Sequence, residues 1–331
     1  MTTPTNGVRG FGSPVMELDG ALIRPGELLV EVAFEADLKP LLERYGGKPY
    51  RPGLPGRDWR RDQRAPRYGD VNARLRDRKL GFRLWVGFAD TVPVELVGRK
   101  RTRGLHYNHV YVGTVGTLDF YQGGPDGWAL VMPGQRPALV LEQDDKPEAA
   151  AVAVVDSGVP ADWPATHPDL AGLFRQGPAG PIPVDPLDGG DADALLDVQG
   201  GHGLFIAGLV GRMAPDVNVQ VFRVLHTTGE TDDTLLCPVL AGLDELTAPV
   251  VNLSLGGFTP NDQPSALLAA ALQVLLDSGK VVVAAVGTSD TPDRPFYPAA
   301  YQDPGPPPGV IAVGACDTTS GTAVAWPKTN H

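Results

Sequence analysis

The sequence predicts an α/β fold, a parallel sheet covered by helices on both faces, preceded by a small α+β N-terminal domain. Three observations predict it. From residue 151 onward, apolar runs without polar alternation recur between segments of helical spacing, the pattern of strands buried on both faces. A strand-then-helix pattern occupies the start of the chain. Charge also changes character midway: residues 1–150 hold 22 basic and 19 acidic side chains, residues 151–331 only 6 basic against 20 acidic.

In the N-terminal half, Leu28, Val30, Val32 and Phe34 alternate, and Leu38, Leu41, Leu42 and Tyr45 then recur at helical spacing before Gly46 and Gly47. This reads as a strand and a short helix closed by a glycine pair. FRLWVGF (82–88) and VPVELV (92–97) read as further short strands. The stretch 51–103 is rich in Arg, but Asp58, Asp62, Asp70 and Asp77 are interleaved, so a solvated or interdomain face is expected there and not a nucleic-acid patch. EQDDKPEAA at 142–150 has the composition of a linker. The expected organisation is therefore an accessory domain with its linker over 1–148 and a second domain over 149–331.

In that second domain, strands are expected at 151–155, 217–224, 250–253, 281–286 and 310–313, with a helix through 266–277. Segments 176–200 and 303–309, rich in Gly, Pro or Asp, read as loops. No apolar run approaches the roughly 18 residues of a membrane span. The first twenty residues lack a basic segment followed by an apolar one, so the cytoplasm is the expected compartment. Cys237 and Cys316 fit no disulfide or metal framework and are expected as free thiols. The acidic second half argues against phosphate backbones as partners, and the weakly basic first half is expected to pack on it.

Three segments place a reactive residue at the end of an apolar strand or the start of a helix. In AVAVVDSGV, Asp156 ends a strand and Gly158 permits a tight turn; a carboxylate there lies where open α/β sheets gather their ligands. In GGHGLFIAGLVG, His202 opens a helix among glycines. VVNLSLGG and VVVAAVGTSD are buried strands ending in Gly beside small hydroxyl residues, edges that can pair with an extended peptide.

From about Ala149 onward the sequence resembles the subtilisin-like (S8) serine peptidases. VAVVDSGV is similar to the family's Asp block, HPDLAG (167–172) to the segment after it and GHGLFIAGLVG to the His block. APDVNVQVFRVL (214–225) is similar to the strand after that helix, VVNLSLGG to the substrate-binding strand, and YPAAY with GVIAVGA to the stretch after the oxyanion loop. The resemblance implies a serine endopeptidase acting on peptide or protein substrates, with Asp156 orienting the imidazole and His202 as general base. It implies that Ser254, Leu255 and Gly256 hold the substrate backbone and that Gly287 floors the specificity pocket. His106, His109, His167 and His226 match no catalytic block.

Two departures accompany the resemblance. Thr288 stands where the family's oxyanion Asn is expected, a shorter, β-branched donor. No nucleophile block occurs: SGTAVAWP (320–327) mimics one, with Ala323 in the place of Ser, but lies too close to Gly287. The nucleophilic Ser is expected beyond residue 331, and the 331-residue chain alone is expected to be inactive. The alternative is an inactive relative serving as a binding or scaffold module. Family propeptides begin with a strand and helix, which the 26–47 segment resembles. Calcium is common in the family, and Asp185, Asp188, Asp191, Asp193 and Asp197 offer oxygens, but their spacing matches no loop motif; a solvated acidic insertion, with no metal or cofactor, is expected.

Overall fold

Two sheets share one core. The computed structural model describes residues 5–6, 11, 13–53, 69–113, 151–170, 172–174, 182–188, 196–214, 216–289, 291, 293–301, 310–317, 324–325 and 329. The expected linker, the 303–309 loop, most of 176–200 and Ala323 lie outside these residues.

The N-terminal half runs β1 (Thr5–Asn6), β2 (Met16–Leu18), β3 (Ala21–Glu31), α1 (Val32–Arg44), β4 (Lys48–Pro49), α2 (Val71–Asp77), β5 (Phe82–Val86), a π-helical turn at Val94–Arg99, and β6 (Leu105–Gly113). All its strand pairings are antiparallel, with β3 in contact with β2, β5 and β6. Two expectations are corrected here. Val32 and Phe34 belong to the helix and not to the strand, because the β3 ladder ends where Glu31 meets Phe82, the first residue of β5. Starting the helix there lets Leu38, Leu41 and Leu42 pack with Trp85 and Phe88, while Val32 is left half exposed. VPVELV is no strand either: it coils as a π-helical turn, sending Val92 and Leu96 into one apolar cluster and Val94 into its neighbour, and Pro93 has no N–H to give a ladder.

The second half runs β7 (Ala151–Asp156), β8 (Val159–Pro160), α3 (Trp163–Thr166), β9 (Val184–Asp185), α4 (His202–Met213), β10 (Asn218–Arg223), β11 (Glu230–Asp232), α5 (Asp233–Gly242), β12 (Val250–Leu253), β13 (Leu255–Gly256), α6 (Ala266–Asp277), β14 (Val281–Ala285), β15 (Val310–Val313), β16 (Cys316–Asp317) and β17 (Val324–Ala325). Strands β10-β7-β12-β14-β15, in that spatial order, form the parallel sheet. Its two faces take different helices. On one, Leu236 and Leu240 of α5 and Leu268 and Leu272 of α6 share a cluster with Ala153, Val155, Val251 and Val282. On the other, Leu204 and Ala207 of α4 meet Val154, Val219 and Val221. At the β15 edge, Ile311 and Val313 are each 48 % exposed. Among the described residues no helix is long and apolar enough to cross a membrane.

The first cluster does not stop at the second half, since Leu29, Leu75, Leu84 and Tyr111 belong to it. Strand β6 makes the same connection through its backbone. Its earlier residues pair with β3, whereas Val110–Val112 pair with β11 and Val112–Gly113 with β13. Leu75, fully buried on α2, tests this shared core. Leu75→Ala is expected to cost about 2–5 kcal/mol and to shift one cooperative transition, read by urea unfolding with near-ultraviolet circular dichroism, with no separate early melting of the N-terminal half.

Candidate active site

Asp156 is the last residue of β7 and is fully buried. Its backbone carbonyl accepts from Val224 N at 2.8 Å and Leu225 N at 3.2 Å, which ties the strand end to the chain leaving β10. Its Oδ1 accepts from Ser157 N at 2.7 Å and lies 2.8 Å from Nδ1 of His202. A carboxylate can only accept, so Nδ1 carries the proton and the neutral ring's lone pair lies on Nε2.

His202 is the first residue of α4, with Gly201 as N-cap at φ 80°. A second carboxylate holds that helix start in place. Asp185 accepts from Gly201 N at 2.8 Å, Leu187 N at 3.0 Å and Ser157 Oγ at 2.7 Å, while Ser157 Oγ in turn accepts from Gly203 N at 3.1 Å. Glycine is required where the helix meets the turn after β7: a Cβ on Gly203 would lie 2.3 Å from the carbonyl oxygen of Gly158, itself at φ +101°. Ser157 and Asp185 therefore brace the pair, roles that sequence reasoning missed. The acidic composition of 185–197 gives no sign of this, because the register of Asp185 with β8, opposite Pro160, is a tertiary fact. Among the described residues no group of three or more His, Cys, Asp or Glu is placed to hold a metal ion; Asp191 and Asp193 lie outside them.

Burial pulls the His202 pKa down, but the charge and hydrogen bond of Asp156, with Asp185 behind it, outweigh burial, and the net direction is upward from the ordinary value. The remaining sequence-predicted residues lie at the carboxyl ends of β12 and β14. Ser254 Oγ accepts from Asn252 Nδ2 at 3.0 Å. Leu255 and Gly256 form β13, opposite Gly113 and Val112 of β6. Beyond it, Gly257 exchanges backbone hydrogen bonds with Tyr297, at 2.8 and 2.9 Å, which brings the YPAAY segment against the same strand. Gly287 is buried at φ +85° and Thr288 is partly exposed, both just past β14.

The family model described as the subtilase family, Peptidase_S8, matches residues 148–330. The chain belongs to the subtilase family. The solved structure of fervidolysin from Fervidobacterium pennivorans, described as a keratinolytic enzyme related to subtilisin, is similar at 19 % identity and a TM-score of 0.54. The match covers 94 % of this chain and 46 % of fervidolysin, so this subtilase chain spans about half the length of that relative. The epidermin leader peptide processing serine protease of Staphylococcus aureus is similar at 16 % identity and a TM-score of 0.49, over 92 % of this chain and 72 % of that one. No curated protein matched the sequence. Fervidolysin's likeness extends through the N-terminal half as well as the subtilase region, as likeness of fold.

The imidazole titration tests the pair. His202 is expected to titrate above 6.5 by NMR, and Asp156→Asn to bring it below 6.5, because burial is then opposed mainly by the more distant Asp185. The sign for stability follows: the Asp156–imidazolium interaction is fully present below the unfolded-state pKa and is lost as pH rises through the raised folded-state value.

Proposed function

We propose that this chain carries the acid–base half of a serine endopeptidase, with Asp156 orienting the imidazole and His202 acting as general base. The observation that carries this reading is the buried Asp156–His202 pair, 2.8 Å apart, with its proton fixed on Nδ1. A base so oriented can take the proton of a serine hydroxyl at Nε2 while the serine oxygen bonds the substrate carbonyl carbon. The same proton then passes to the leaving amine as the C–N bond breaks, and water, deprotonated in the same way, releases the acyl group. Asp156 stabilises the imidazolium between those steps. The nucleophile is proposed to be a serine encoded beyond residue 331, and Thr288 to stand at the oxyanion position beside Gly287.

The substrate path is proposed to be the gap between β11 and β13. Among the described residues neither strand has any neighbour except β6, which lies antiparallel to both. A peptide strand entering there would complete the same three-stranded arrangement. In this reading β6 is an inhibitory prosegment strand occupying the path, and the N-terminal half docks on the acidic second half.

A fluorophosphonate probe, which labels only an activated serine, tests the assignment on the protein expressed from the uninterrupted gene. Labelling is expected, and His202→Ala is expected to abolish it; an unlabelled protein favours the binding-module alternative. In the labelled protein, Thr288→Asn is expected to raise kcat, up to ~10²-fold, because a longer amide donor reaches the developing oxyanion better than a hydroxyl on a β-branched stem.

A further inference from the structure

The strand that β6 lies against and the first residue of the helix after it are acidic. Glu230, Asp232 and Asp233 are fully buried, and each receives a donor from the N-terminal half. Ser13 Oγ donates to Glu230 at 2.7 Å, and Arg24 Nε to Asp232 at 2.8 Å. Asp233 receives three: Tyr111 Oη on Oδ1 at 2.8 Å, and the His109 backbone N–H and ring Nδ1, both at 3.0 Å, on Oδ2.

The three carboxylates differ in what their own half supplies. Glu230 also accepts from Thr228 Oγ1 at 2.7 Å, and Asp232 from Thr234 N at 2.9 Å as the N-cap of α5. Asp233 has Ser265 Oγ at 2.9 Å on Oδ2 and, on Oδ1, among the described residues of that half, the Cys237 thiol at 3.8 Å. If β6 withdraws, Oδ1 keeps, among the described residues, a weak sulfur donor, and water must supply the rest. A replacement that buries this oxygen again without donating to it costs more than an ordinary lost hydrogen bond, so whatever replaces β6 is selected for its ability to donate there.

The pocket also fixes the shape of the donor. Tyr111 is fully buried in the main core cluster, its ring among apolar side chains and its hydroxyl at the carboxylate. Burial and then the charge of Asp233 hold its phenol pKa well above the ordinary value, so the hydroxyl stays a donor at all working pH. An aromatic ring with a terminal hydroxyl fits both parts, whereas phenylalanine fills the volume and leaves Oδ1 unanswered.

We propose that Asp233 is a specificity-determining residue of the cleft, selecting peptides with tyrosine where Tyr111 lies and favouring a hydrogen-bond donor where His109 lies. This rests on the reading of the β11–β13 gap as the substrate path. The discrimination comes from a charged acceptor under an apolar wall: it rejects the isostere lacking the hydroxyl more strongly than an apolar pocket could reject one with an extra hydroxyl.

The test is made by binding, independent of any nucleophile. The full chain carrying Val112→Pro lacks the N–H that this residue turns toward β13, which weakens the hold of β6 in the gap; Tyr111→Ala, which empties the pocket, serves as a second opened chain if the first does not fold. Labelled peptides spanning residues 108–113, Asn-His-Val-Tyr-Val-Gly and its Tyr→Phe counterpart, are titrated by fluorescence polarisation. The Phe peptide is expected to bind ~10- to 100-fold more weakly. Adding Asp233→Leu, or Asp233→Asn if the leucine variant does not fold, is expected to shrink the ratio below ~10-fold for Asn and to about unity for Leu. Equal binding of both peptides to a chain with Asp233 intact overturns the specificity proposal and leaves the path standing. Binding of neither peptide to a folded, opened chain overturns the path and the proposal with it.

Discussion

Strand β6 is the constraint on which the two halves of the molecule depend. Its earlier residues pair with β3, and its last four fill the space between β11 and β13, two short strands with no other partner among the described residues. Without it, backbone N–H and C=O groups on both would lack partners, a cost that hydrogen bonding in a core normally removes. The apolar cluster follows the same route. Leu29, Leu84 and Tyr111 from one half lie in one body with Leu236, Leu240 and Val155 from the other, so the N-terminal half is packed into the second half's core.

A polar seam runs beside that apolar joint. Arg24 and Asp232 form an ion pair that is 1 % and 0 % exposed, and such a pair stabilises weakly while its disruption costs several kcal/mol, on the order of 3–5, because a bare buried charge remains. Ser13 on Glu230, and Tyr111 and His109 on Asp233, complete it. The seam gives the contact register and identity more than raw affinity. It also explains how the second half tolerates three buried carboxylates within four residues: donors to each arrive from a different part of the chain.

The dyad obeys the same logic at shorter range. Asp156 and His202 lie 46 residues apart and meet because β7 ends where α4 begins, and the approach is close because both contacting positions, Gly158 and Gly203, lack a side chain. Asp185 adds negative charge behind the imidazole and receives the backbone N–H of Gly201, the residue before it, so one residue serves both the electrostatics and the placement of the ring. A hydrogen bond of this kind at Nδ1 fixes which ring nitrogen carries the proton.

Much of this was legible in the sequence. The parallel strands and the 266–277 helix announce themselves by unbroken apolar runs, because a strand buried on both faces needs no polar alternation. Asp156 and His202 stand out because they interrupt such runs at strand and helix ends, and six collinear blocks carried the family resemblance. Boundaries were less legible where neighbours decide them: Val32 alternates as a strand residue would, yet the ladder stops one residue earlier, and VPVELV has strand composition but pairs with no strand among the described residues. The sequence by itself determined the layered α/β plan and marked Asp156 and His202 as polar residues at a strand end and a helix start, since both are written in local hydrophobic period and in residues adjacent along the chain. Only the tertiary structure decided that Asp185 braces His202 and that Tyr111 and His109 answer Asp233. Those contacts join residues as much as 124 positions apart, and a buried carboxylate carries no local mark of which distant donor will meet it.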